Sequence, residues 1–169
     1  MAKSSGHSKI CGNFGEALIL YWLSKNGFEC ARVDHTGIDI IANNPDGDKL
    51  IGISVKSRTR GAGKEGQTVD IEHGDFEKAD KACKDFKCSP CSPYFAIIVD
   101  AKDLIRVFVT PKSELFALCS IGKTGNAYWK MTASAIDRYS ANERVMRFEF
   151  NTKTWRWFEP PSNATRLVV

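Results

Sequence analysis

Two apolar runs, GIDIIA (37–42) and LIGISVKSR (50–58), stand either side of the polar turn PDGDK. Each run has the length of a strand and is rich in isoleucine, and the turn carries Asp-Gly, so the stretch reads as a β-hairpin. Such a hairpin commits the chain to a sheet, and the sheet needs further strands and a cover. FECARV (28–33) precedes the hairpin as a third member of a meander. YFAIIVD (94–100), a strongly apolar run, and LIRVFVT (104–110), which alternates in part, supply two more strands, and TVDIEH (68–73) reads as a short one.

Helical spacing covers much of the rest. From Lys9 to Asn26 the residues Ile10, Phe14, Ala17, Leu18 and Tyr21 recur at helical spacing, and Asn26-Gly27 supplies a stop. Asp75 suits the cap of a helix reaching Phe86, with Phe76, Ala79, Cys83 and Phe86 on one stripe. Thr110-Pro111 opens a helix to Leu118, and a further helix spans Thr132 to Tyr139. VMRFEF and TWRWF, near the C-terminus, read as an aromatic hairpin over about 144–159. The expectation is one α/β domain over residues 1–169, a mixed β-sheet flanked by helices; 169 residues suit one core.

Inside the second strand of the hairpin the pattern breaks. Leu50, Ile51, Ile53 and Val55 belong in a buried sheet, yet the run goes on to Lys56 and Arg58. An ammonium buried without a partner is expensive, so either the strand emerges into water at Lys56 or something anionic or metallic waits there. Alternation puts Ser54 on the face of Lys56. Asp39, flanked by isoleucines, sits on the preceding strand and can approach Lys56. Glu16 lies mid-helix in GNFGEALILYWL, beside the apolar stripe. A glutamate, an aspartate and a lysine converging at strand ends suit a divalent metal and a phosphate. Mg²⁺ takes hard oxygen ligands and keeps several waters, so one or two carboxylates suffice.

These residues carry a resemblance. A glutamate in an opening helix, an aspartate on one strand and (D/E)-X-K on the next resemble the PD-(D/E)XK nuclease superfamily, and the Gly-Ile-Asp context looks most like its Holliday-junction-resolvase and Mrr-like branches. The resemblance covers roughly residues 10–60. It implies a restriction-endonuclease-like core and Mg²⁺- or Mn²⁺-dependent hydrolysis of DNA. Glu16, Asp39 and the Val55 carbonyl would be the metal ligands, and Lys56 would serve the nucleophile. One position departs from the pattern: the acidic member of (D/E)-X-K is Ser54. Asp70 and Glu72 are candidates to replace it, and Gln67 is a further polar contact. The alternative is a nuclease-fold module that binds nucleic acid with impaired catalysis. A repair enzyme and a toxin-like or defence nuclease are not separable at this level. Enzymes of this kind often act as homodimers, because both strands must be cut.

Other signals weigh less. The glycine-rich stretch 61–66 matches G-x-G-x-x-G, but a dinucleotide site needs a helix after it and QTVDIEH is strand-like. As a basic loop it offers Arg58, Arg60 and Lys64 to DNA phosphates, in a chain of net charge +4. Cys83, Cys88 and Cys91 have a zinc-like spacing without an adjacent fourth ligand, and Cys83 also fits the stripe of its helix. Six irregularly spaced cysteines read as reduced thiols of a cytoplasmic protein. Trp155, Trp157 and Phe158 suit core cover or base stacking. His7, His35 and His73 have no ligand spacing. MAKSSGHSK lacks the apolar core of a secretory signal, and no apolar run is long enough to span a membrane.

Overall fold

The hairpin is present, and the main sheet grows from it. The computed structural model describes residues 5–89 and 92–155. A long helix α1 (Ser5–Lys25) leads into an antiparallel meander of β1 (Glu29–His35), β2 (Ile38–Asn43) and β3 (Leu50–Arg60). After β4 (Val69–Ile71) and α2 (His73–Asp85) the chain enters β5 (Tyr94–Ala101), which lies parallel to β3. A parallel neighbour demands such a crossover. β6 (Leu104–Pro111) returns antiparallel to β5 through a tight turn in which Lys102 takes a φ of +56°. Then follow α3 (Lys112–Leu118), β7 (Ser120–Ile121), β8 (Ala127–Trp129), α4 (Ala133–Ser140) and β9 (Met146–Asn151). The six-stranded mixed sheet runs β1-β2-β3-β5-β6-β9, and β4-β8-β7 form a small second sheet.

Each face of the main sheet has its own core. On one side α1 covers Ile40, Ile53, Ala96, Ile98 and Val107 with Ile19 and Leu23. On the other, Phe76, Ala79 and Cys83 of α2 join Phe95, Phe108, Trp129 and Tyr139. Burying one large apolar side chain contributes about 1.5–3 kcal/mol. The Trp129 and Tyr139 rings stack with centroids 3.8 Å apart, and such pairs add about 0.5–1.5 kcal/mol beyond their area.

Three sequence expectations are corrected. The buried face of α1 is Gly15, Ile19 and Leu23, while Ile10, Phe14, Ala17 and Tyr21 are exposed. LILYWL is apolar all round, so spacing alone could not choose its face. Asp75 is not the cap of α2: the cap is Glu72, and Asp75 lies in the first turn. Thr110 lies inside β6, and Pro111, the last residue of that strand, is the cap of α3. The stretch VMRFEF supplies β9, which pairs with β6 and extends the main sheet, and among the described residues Trp155 lies outside any strand. Trp157 and Phe158 fall outside the described residues, as does Cys91. Cys83 and Cys88 are buried in the core on the α2 side, where thiols pack as small hydrophobes. Among the described residues no helix is long and apolar enough to cross a membrane.

Candidate functional site

Two glycines bring the elements close enough for a site. A Cβ on Gly15 would overlap the Ser57 hydroxyl, so only glycine lets α1 lie this near β3. Gly37 combines a φ of +110° with backbone contact to Lys78, which seats the β1–β2 turn against α2. Glu16, next to Gly15, is thereby carried to the end of the sheet where β1, β2 and α2 meet.

Asp39 occupies the point where a ladder stops. The β2–β3 register runs from Asn43 opposite Leu50 to Ile40 opposite Ile53. At the next residue the Asp39 carboxylate takes over, and its Oδ2 accepts a hydrogen bond from the Val55 amide at 2.6 Å. Burial pushes the Asp39 carboxyl above its ordinary pKa, against the pull of that amide and of Lys56 and Arg32; Asp75 adds to the push. The balance is informative. Two cations stand near Asp39, and they do not offset its loss of water.

Lys56 points to the α2 side of the sheet, where its Nζ lies 2.8 Å from Asp75 Oδ2. Asp75 also sits in the first turn of α2, where a negative charge is favoured by the helix dipole. Glu16 is held from β1: Arg32 Nε donates to Glu16 Oε2 at 2.6 Å, and the same guanidinium reaches Asn13 Oδ1 at 3.2 Å. Neither ion pair is deeply buried, so each is worth about 1 kcal/mol or less and can be exchanged for another partner. Glu16, Arg32 and Asp39 line one cavity of about 490 Å³, together with Lys9, Val33 and His35. His35 is fixed by a 3.0 Å contact of Nδ1 with the Thr36 carbonyl and by its ring edge on Phe86.

The residues expected from the sequence thus divide. Glu16 and Asp39 share a cavity, and Lys56 adjoins Asp39. Ser54 is buried on the Lys56 face, where α2 packs so closely that a Cβ on Gly52 would come within 2.8 Å of Cys83 Sγ. Asp70 lies on the small sheet opposite Tyr128 and acts on Arg60; Glu72 and Gln67 are exposed. Arg60 donates to the Thr68 carbonyl at 2.6 Å, and burial lowers its pKa, with help from Arg58. Arg58 and Lys64 are exposed. Arg32 and Asp75 were not singled out from the sequence as site residues. Arg32 lies there within the strand run FECARV and Asp75 reads as a cap, and neither lies in a linear motif with Lys56.

The donor set suits a small hard cation. Glu16 and Asp39 offer carboxylate oxygens to one cavity, hard donors of the kind a small divalent cation takes. Among the described residues no three His, Cys, Asp or Glu side chains gather to hold a metal. Two carboxylates, with water completing the shell, is therefore the set the cavity offers.

Neither a family model nor a curated protein matches the chain. Its fold is similar to that of a Holliday junction resolvase from the archaeal hyperthermophile Archaeoglobus fulgidus, solved at 1.6 Å. The TM-score is 0.50 at 17% identity, over 88% of this chain and 98% of that one. The likeness establishes a nuclease-like α/β fold.

Proposed function

We propose that the protein is a metal-dependent endonuclease that hydrolyses DNA phosphodiester bonds. The observation that carries the reading is Asp39: a half-buried carboxylate at a sheet terminus, held by the Val55 amide, beside Lys56 and sharing a cavity with Glu16. The Holliday junction resolvase that shares this fold supports DNA as the substrate class.

Glu16 and Asp39, with the Val55 carbonyl, would hold Mg²⁺ or Mn²⁺. When bound, such an ion lowers the pKa of its water and neutralises charge developing on a phosphate. The chain's own residues do the rest. The Val55 amide fixes the orientation of Asp39. Lys56 exchanges Asp75 for the attacking water or the phosphate, a cheap exchange at this exposure. Arg32 must leave Glu16 for that carboxylate to serve as a ligand, and its freed guanidinium suits the phosphate. Asp75, not Asp70 or Glu72, is the acidic group beside Lys56. Arg58 and Lys64 extend the cationic surface for the backbone of the DNA.

A second reading rests on one observation. Ser54 stands where a third carboxylate is expected, and no third donor gathers among the described residues. On that ground a DNA-binding module with impaired catalysis is the rival. Nicking of supercoiled plasmid separates them. Cleavage that needs Mg²⁺, stops with EDTA and is lost in Lys56→Ala supports the enzyme. DNA binding without nicking in Mg²⁺ or Mn²⁺ supports the module.

A further inference from the structure

A second cavity, of about 400 Å³, lies on the other face of β3. Lys56 faces α2, whereas the next residue, Ser57, faces α1 and lines this cavity. Its walls are apolar and partly aromatic: Ile10 and Phe14 from α1, Ile98 and Ile105 from the sheet, and Trp155 after β9. Five large hydrophobic side chains are exposed among the described residues, and three of them, Ile10, Phe14 and Trp155, meet at this one cavity. Singly exposed apolar residues need no explanation, but a clustered set marks a binding surface.

The polar lining narrows the ligand. Arg58 and Lys102 are matched by Asp100 and Asp103, so the cavity's charges balance and it suits a neutral group rather than a phosphate. The Ser57 hydroxyl is buried against Gly15 and has no hydrogen-bond partner, an unmade bond that folding normally avoids. Ser57 lines the cavity, and a serine hydroxyl can both donate and accept. A flat ligand with apolar faces and a hydrogen-bonding edge meets these conditions. We propose that the cavity receives an unpaired nucleobase of a DNA strand whose backbone crosses the end of β3. Phe14 and Trp155 supply stacking surface, Ser57 meets the edge of the base, and Arg58 meets the adjoining phosphate. The choice of DNA rests on the function proposed above; the cavity's preference for a base does not.

The test uses the whole protein in EDTA, so that nothing is cut, with duplexes carrying one unpaired adenine or an abasic position in its place. Wild type should bind the adenine duplex about tenfold more tightly than the abasic one, the scale of one stacked base. The methyl resonances of Ile98 and Ile105 should shift with the adenine duplex alone. Phe14→Ala should erase the difference and leave affinity for a fully paired duplex unchanged. Ile10→Ser, at a site 67% exposed and safe for the fold, should reduce it. Equal affinity for the two duplexes overturns the inference, as does a preference that survives in both variants. Methyl shifts with free dAMP but not with the duplex would indicate a mononucleotide site and overturn it. So would shifts that follow protein concentration without DNA, which would mark a self-association face. If Mg²⁺-dependent nicking is present without base discrimination, this inference falls and the nuclease stands. If discrimination is present without nicking, the cavity stands and the nuclease falls.

Discussion

Asp39 concentrates the physical tension of the molecule in one side chain. Its folded-state pKa is raised, so the folded protein holds that proton more tightly than the unfolded chain does. The contribution to stability is therefore unfavourable at neutral pH. It grows as pH rises from the unfolded value, about 3.9 for aspartate, through the folded one. Asp39→Asn keeps an acceptor for the Val55 amide and removes the charge. Thermal melts should show the variant more stable than wild type at pH 7, the gain vanishing at pH 3. A less stable variant at pH 7 would mean that neighbouring cations already satisfy the carboxylate. Lys56→Ala removes a group proposed to act on the transition state; cleavage should fall about 100-fold or more with DNA affinity little changed. Single-turnover kinetics and fluorescence anisotropy check the two halves. Residues in motif order were legible in the sequence because strand alternation forces Ser54 and Lys56 onto one face. Arg32 and Asp75 were not, because an ion pair between distant elements leaves no periodic trace.

At the scale of elements, the approach of α1 to β3 decides whether Glu16 arrives at all. Gly15→Ala puts a methyl group into the Ser57 hydroxyl and should cost about 1–3 kcal/mol, as overpacking does. Urea denaturation measures it, and adding Ser57→Gly should recover most of the loss. Additive effects of the two changes would mean that the helix is not held at this contact. The strands were readable because the turns PDGDK and Lys102-Asp103 separate apolar runs of fixed length. The buried face of α1 was not readable, because LILYWL is apolar on all sides and a glycine, not a large side chain, marks the contact. The place of β9 in the main sheet was not readable for a related reason. Strand character in VMRFEF was correct, but pairing is chosen by the whole sheet, whose open edge at β6 was waiting for a partner.

The whole molecule presents a modest excess of positive charge, +4, to a polyanion. Binding to duplex DNA should weaken with salt, and Lys64→Ala should flatten the slope of log K against log salt by about 0.9, the value for one lost phosphate contact. An unchanged slope would remove the 61–66 loop from the interface. The fold class could be read from the hairpin and the motif residues because both rest on local alternation. The two-layer cover and the small sheet depend on contacts between distant segments. The central claim is a metal site built on Glu16 and Asp39, and a calorimetric titration of Mn²⁺ into wild type and Asp39→Asn tests it most directly. The site predicts saturable binding to the wild type that is lost or weakened at least about tenfold in the variant, which loses a charged ligand. Equal Mn²⁺ affinity in the two proteins would contradict it.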